Sequence, residues 1–188
     1  MSSITIKSGT LKGVYSLNYS YEKTIDGDKN DVKVSCNAPI HDDLKRAFYN
    51  LIPHLALICE EVLQDDVLQF ITNGFDEVDR DEESDQNKLK QKFNIQSFKV
   101  TGSGDSEGVQ LSGYKLLSIG KSISISTPKI KWNSDDYQYT SELSEAVEAC
   151  KIEVNEYLNG KYAPDNQLDM FGDDFENGET VQEFPESA

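Results

Sequence analysis

The sequence predicts an α+β fold of two layers, in which antiparallel β-meanders are each followed by a helix and the helices cover one face of the sheet. Three observations carry this. Residues 13–22 set Tyr15, Leu17, Tyr19 and Tyr21 against Ser16, Asn18 and Ser20, the period-two pattern of a half-buried strand. Leu44, Ala47, Phe48, Leu51, Leu55, Ile58, Cys59 and Val62 recur at helical spacing. A second set of alternating strands is followed by a second such stripe, so the order is strands, helix, strands, helix.

Taken in order, residues 4–6 read as a short first strand closed by Ser8-Gly9. After the tyrosine-bearing strand comes the turn Asp26-Gly27-Asp28-Lys29-Asn30, and then a strand with Val32, Val34 and Cys36 on one side, together a hairpin. That turn resembles the start of a calcium loop, but Asp31 and Asn37 stand where such a loop needs glycine and glutamate. Pro39 and Asp42 open the first helix, and Pro53 removes a backbone donor and should split it near Ile52. His54 has no second histidine or carboxylate at a helical spacing that would make a site, so it reads as a helix-surface residue.

Residues 63–75 extend the helix briefly, and residues 76–94 are charged and poor in apolar side chains. They buy too little burial to order themselves, so the expectation is a mobile loop or a solvated helix within a partly acidic insertion, residues 60–94. Strands resume at residues 93–101. The glycines of residues 102–108 lack the lysine and following helix of a phosphate loop and read as a hairpin connection. Residues 109–117 and 121–130 complete the second meander, with Ile123, Ile125 and Thr127 opposing Ser122, Ser124 and Ser126 and with Pro128 at the strand's end. Trp132, Tyr137 and Tyr139 fall in a polar loop. The last helix has Ser141 as its expected N-cap, Leu143, Ala146, Val147, Cys150, Val154, Tyr157 and Leu158 as its stripe, and Gly160 just past its end.

The net charge of −16 over 188 residues is uneven. Residues 60–85 hold 11 acids and one base, and residues 164–188 hold 8 acids and no base, so the remainder carries about +2. A body of that balance can approach a nucleic acid, which a uniformly acidic one could not. No run approaches the roughly 18 apolar residues of a membrane span, and the N-terminus lacks the pattern of an export signal, which reads as a cytosolic protein with no membrane partner. Cys36, Cys59 and Cys150 lie on apolar sides at spacings unsuited to zinc and are expected reduced and buried. No cofactor, metal or catalytic set is legible, and the chain reads as a non-enzyme.

These readings make residues 1–162 a single domain and residues 163–188 an acidic tail, expected to be disordered in the free protein. Within the tail stands Gln167-Leu168-Asp169-Met170-Phe171, similar to the peptide by which proteins dock on the bacterial sliding clamp, usually Gln-Leu-(Ser/Asp)-Leu-Phe, with Met170 for the second leucine. The similarity implies that the Gln167 amide anchors one end by hydrogen bonding. Leu168, Met170 and Phe171 would fill an apolar pocket, and Asp169 would face solvent. The segments Pro39-Ile40-His41-Asp42, Leu51-Ile52-Pro53-His54-Leu55 and Glu156-Tyr157-Leu158-Asn159-Gly160-Lys161 resemble small phage and prophage proteins that end in a short Leu-Phe tail. Together with the clamp-like peptide, that resemblance implies a phage or prophage accessory protein of DNA replication or recombination in a bacterial host cell, and it carries no activity of its own.

The alternative is a single-stranded-DNA-binding protein with an acidic, protein-recruiting tail. Tyr15, Tyr19, Tyr21 and Tyr114 would stack on bases, and Lys99, Lys115, Lys121, Lys129 and Lys131 would contact phosphates.

Overall fold

A computed structural model describes residues 2–13, 16–75, 81 and 83–164. The elements are β1 (Ser2–Lys12), β2 (Ser16–Ile25), β3 (Asp28–Cys36), α1 (Asp42–Tyr49), α2 (Ile52–Ile58), α3 (Gln64–Asn73), α4 (Asp85–Lys92), β4 (Phe93–Thr101), β5 (Gly108–Leu116), β6 (Ser122–Ser126), β7 (Ile130–Lys131) and α5 (Thr140–Leu158), with a single 3₁₀ turn at Gly104–Ser106. The fold is α+β. One seven-stranded sheet runs β3-β2-β1-β4-β5-β6, with β7 pairing on β5, and every pairing is antiparallel.

The helices lie on one face. Leu17, Phe93, Ile95, Phe98, Val109 and Leu111 turn inward from the strands and meet Leu44, Phe48, Leu51 and Leu55 of the first helices and Leu143, Val147 and Val154 of α5, all essentially without exposure. The Phe48 and Phe98 rings pack 5.6 Å apart. Gly9 sits at the centre because nothing larger fits: a Cβ there would lie 2.9 Å from Phe98 and 3.0 Å from Phe48.

Several expected features are present. Asp26 and Gly27 take positive φ in the two-residue turn joining β2 to β3, the backbone such a turn demands. The first helix breaks where Pro53 dictates, with Pro53 in the first turn of α2. Gly160, at φ +97°, follows the Asn159 cap of α5.

Others differ. The first strand continues through Ser8-Gly9 to Lys12 because a bulge between Ile6 and Ser8 absorbs the irregularity. Four helices, not one, follow the first meander, and residues 64–73 form the separate α3. α4 occupies the end of the charged stretch, capped by the Ser84 hydroxyl; residues 76–80 and 82 lie outside the described residues. α5 begins at Thr140, so Ser141 lies within its first turn. All three cysteines are free, but only Cys150 is buried. His54 is the clearest reversal. It is 1% exposed, with Nδ1 2.9 Å from the Tyr137 hydroxyl, so the loop that carries Tyr137 closes over the short helix and covers the histidine.

Candidate functional site

Among the described residues nothing covers the face of the sheet opposite the helices, and that face is largely polar. Two bulges shape it. One lies between Ile6 and Ser8 in β1 and the other between Ile95 and Ser97 in β4, the two strands that meet at the middle of the sheet. Bulges bend and over-twist their strands, and here the bend leaves a groove of about 510 Å³.

Two cross-strand rows line it. Lys33 of β3, Ser20 of β2, Ser8 of β1 and Lys99 of β4 stand opposite one another in sequence across four strands. Ser35, Asn18, Thr10 and Ser97 form the adjacent row. At about 4.8 Å per strand, the two lysines are roughly 14 Å apart. The second row continues through Ser112 to Ser126, and a third places Asn94, Tyr114 and Ser124 together.

Among the described residues no carboxylate lines the groove, although the chain carries −16 overall. Ser8 and Ser20 share a hydrogen bond of 2.7 Å, and the Ser35 hydroxyl donates to the Asn18 carbonyl oxygen at 2.8 Å. Among the described residues no protein group pairs with the Thr10 and Ser97 hydroxyls, the Asn18 amide nitrogen, or the Lys33 and Lys99 ammonium groups. The groove therefore offers hydrogen-bond donors and positive charge to a ligand from outside.

The residues that the sequence suggested for nucleic acid are not brought together. Tyr19 is 8% exposed on the helix-covered face, where its ring meets Tyr157 edge-on, and Tyr21 packs beside it. Burial raises the Tyr19 phenol above its ordinary value, as expected of a core side chain. Tyr15 lies outside the described residues. Lys115 turns toward the helices and pairs with Glu61. Lys129 donates to the Ser106 carbonyl, and Lys121 and Lys131 are exposed in the turns and short strand beyond β5. Of that set Lys99 and Tyr114 lie on the open face, and Lys131, opposite Gly108 in β5, stands on the same side at its margin. The residues missed by sequence reasoning are Lys33, Ser8, Thr10, Asn18 and Ser97. The signal for them was the polar half of the same alternation that pointed to the tyrosines.

The docking peptide, residues 167–171, lies outside the described residues. The chain leading to it is fixed up to Pro164: Tyr162 bridges Ile40, and the Ala163 amide donates to the Pro39 carbonyl at 3.0 Å. Lys161 joins Asp43 at 2.8 Å and Glu153 at 2.9 Å, tying the end of α5 to α1 and holding the Asp43 carboxyl below its ordinary range.

Among the described residues no group of three histidine, cysteine or acidic side chains is placed to hold a metal, and no helix is long and apolar enough to cross a membrane. Fold and site together define an α+β protein whose antiparallel sheet is covered on one face and presents a polar groove on the other. No protein-family model, curated protein or solved structure matches the chain.

Proposed function

We propose that this is a non-enzymatic phage or prophage accessory protein of DNA replication or recombination, which docks on the bacterial sliding clamp through residues 167–171. The observation that carries the reading is Gln167-Leu168-Asp169-Met170-Phe171 itself, with a polar anchor at one end and three large apolar side chains in the order a clamp pocket takes. A few such anchors supply most of the energy of a peptide interface. The position of the peptide supports docking. Among the described residues the chain is held to the body through the strand-like bridge at Tyr162 and the Ala163 amide, and Gln167 follows three residues after Pro164.

Calorimetric titration of the full chain against a bacterial sliding clamp tests this. Micromolar or tighter binding is expected, and it should vanish when Gln167, Met170 and Phe171 are all changed to alanine. Failure of the unaltered chain to bind clamps from several bacteria refutes the proposal.

A further inference from the structure

We propose that the open face of the sheet binds single-stranded nucleic acid, with Lys33 and Lys99 taking two backbone phosphates and the hydroxyl and amide rows between them meeting sugars and base edges. The site is distinct from the tail peptide, and the proposal does not depend on clamp docking.

Charge selects the class of ligand. Both groove lysines are exposed, and among the described residues they lack an ion-pair partner and no acid lines the groove. In a chain of net charge −16, such a face attracts a polyanion that the rest of the surface repels. The spacing selects an extended ligand. Lysines three strands apart, at backbone positions roughly 14 Å from each other, are spaced to take separate phosphates of a strand lying across β3, β2, β1 and β4.

Hydrogen-bonding chemistry selects a single strand over a duplex. The unpaired Thr10 and Ser97 hydroxyls and the Asn18 amide nitrogen are short groups on a shallow face. They can reach base edges only where those edges are unpaired and splayed out. Tyr114, 36% exposed in the third row, offers a ring on the same face against which one base can stack. Ser8 and Ser97, each beside a bulge, line the groove.

Fluorescence anisotropy with a labelled oligothymidylate of about twenty nucleotides, titrated with the full chain at about 50 mM salt, tests the proposal. Saturable binding is expected. With two phosphate contacts, log affinity should fall against log salt with a slope of about −1.4. Lys33→Glu combined with Lys99→Glu should weaken binding at least tenfold, and Ser97→Glu, which places an acid between them, should do the same. Lys151→Glu, on the helix-covered side of the molecule, should leave binding within twofold. Thermal melting followed by circular dichroism shows whether each variant is folded, and because Lys33 and Lys99 are exposed and Ser97 is only partly buried, at least one groove variant should retain the parent melting temperature.

Absence of saturable binding at low salt would overturn the proposal. So would binding that the folded groove variants leave unchanged. A third refuting result is that a free peptide with the sequence of residues 165–188 occupies the groove and oligothymidylate fails to displace it, which would make the ligand an acidic peptide.

Discussion

Acidification should destabilise this fold through His54 before its carboxylates titrate. The imidazole is 1% exposed beneath the loop that follows β7, its Nδ1 hydrogen-bonded to Tyr137 and its ring edge-on to that tyrosine at 5.9 Å. Burial pushes its pKa down from 6.5 to about 4. The folded state therefore holds the neutral form, while the unfolded chain takes up a proton near pH 6.5. The sign follows directly. His54 contributes its full stabilisation above pH 6.5, and that contribution is lost as the pH falls from 6.5 toward 4. A difference of about 2.5 units corresponds to roughly 3 kcal/mol, at about 1.4 kcal/mol for each unit of pH within the window. For a domain of ordinary stability, 5–15 kcal/mol, that is a large fraction.

The assay is urea unfolding of the wild type and of His54→Gln at a series of pH values from about 7 to about 4.5. The variant should be less stable at neutral pH by about 1–3 kcal/mol, for loss of the imidazole's packing and hydrogen bond. Its stability should then fall less steeply on acidification, so that the two curves converge. Groups other than His54 titrate in both proteins and cancel in the difference. Asp43, held below its ordinary 3.8 by Lys161, acts at lower pH still. Parallel pH profiles for the two proteins would refute the reasoning and show that protonated His54 is tolerated in place.

Two further predictions concern packing. Gly113→Ala should destabilise by about 3 kcal/mol or more, measured by the shift in urea midpoint, because its Cβ would lie 2.1 Å from the Asn94 carbonyl oxygen and 2.7 Å from Leu55, where backbone must move; a cost under about 0.5 kcal/mol would show that β4 and β5 separate there without penalty. In the native protein Cys150 should resist a thiol reagent that modifies Cys36 and Cys59, since burial raises its thiol pKa and encloses it within α5, and it should react only after denaturant is added. Equal labelling rates for the three would contradict the burial of α5 against the sheet.

What the sequence made legible was local chemistry. The Asp26-Gly27 turn, the break at Pro53, the stop at Gly160 and the α+β alternation are each encoded within a few residues. What it concealed depends on partners far along the chain. Gly9 resembles a strand terminator until Phe98, Phe48 and Val154 are seen to crowd it. His54 resembles a surface residue because Tyr137, 83 positions later, supplies its cover. The tyrosines of β2 were correctly placed on one face, but alternation cannot say which face the helices will take. That ambiguity pointed the sequence reading at Tyr19 and Tyr21 and away from Ser20 and Asn18, between and beside them.

The pairing of β1 with β4 has a consequence for how the molecule assembles. Among the described residues, only Ser8–Lys99, Gly9–Phe98 and Thr10–Ser97 pair the backbone of the β1-β2-β3 half with that of the β4-β5-β6 half, across roughly 90 intervening residues, while the core under α1 and α5 spans both. The hairpins on either side close over short turns, and closing the long loop costs about 3 kcal/mol more in chain entropy than closing a two-residue turn. The backbone seam should therefore form after the hairpins on either side of it, together with the core that α1 and α5 lay across both halves. The groove straddles that seam, with Lys33 on one half and Lys99 on the other. Any polymer lying across both would act as a splint, slowing the separation of two halves that the backbone alone holds by three residue pairs.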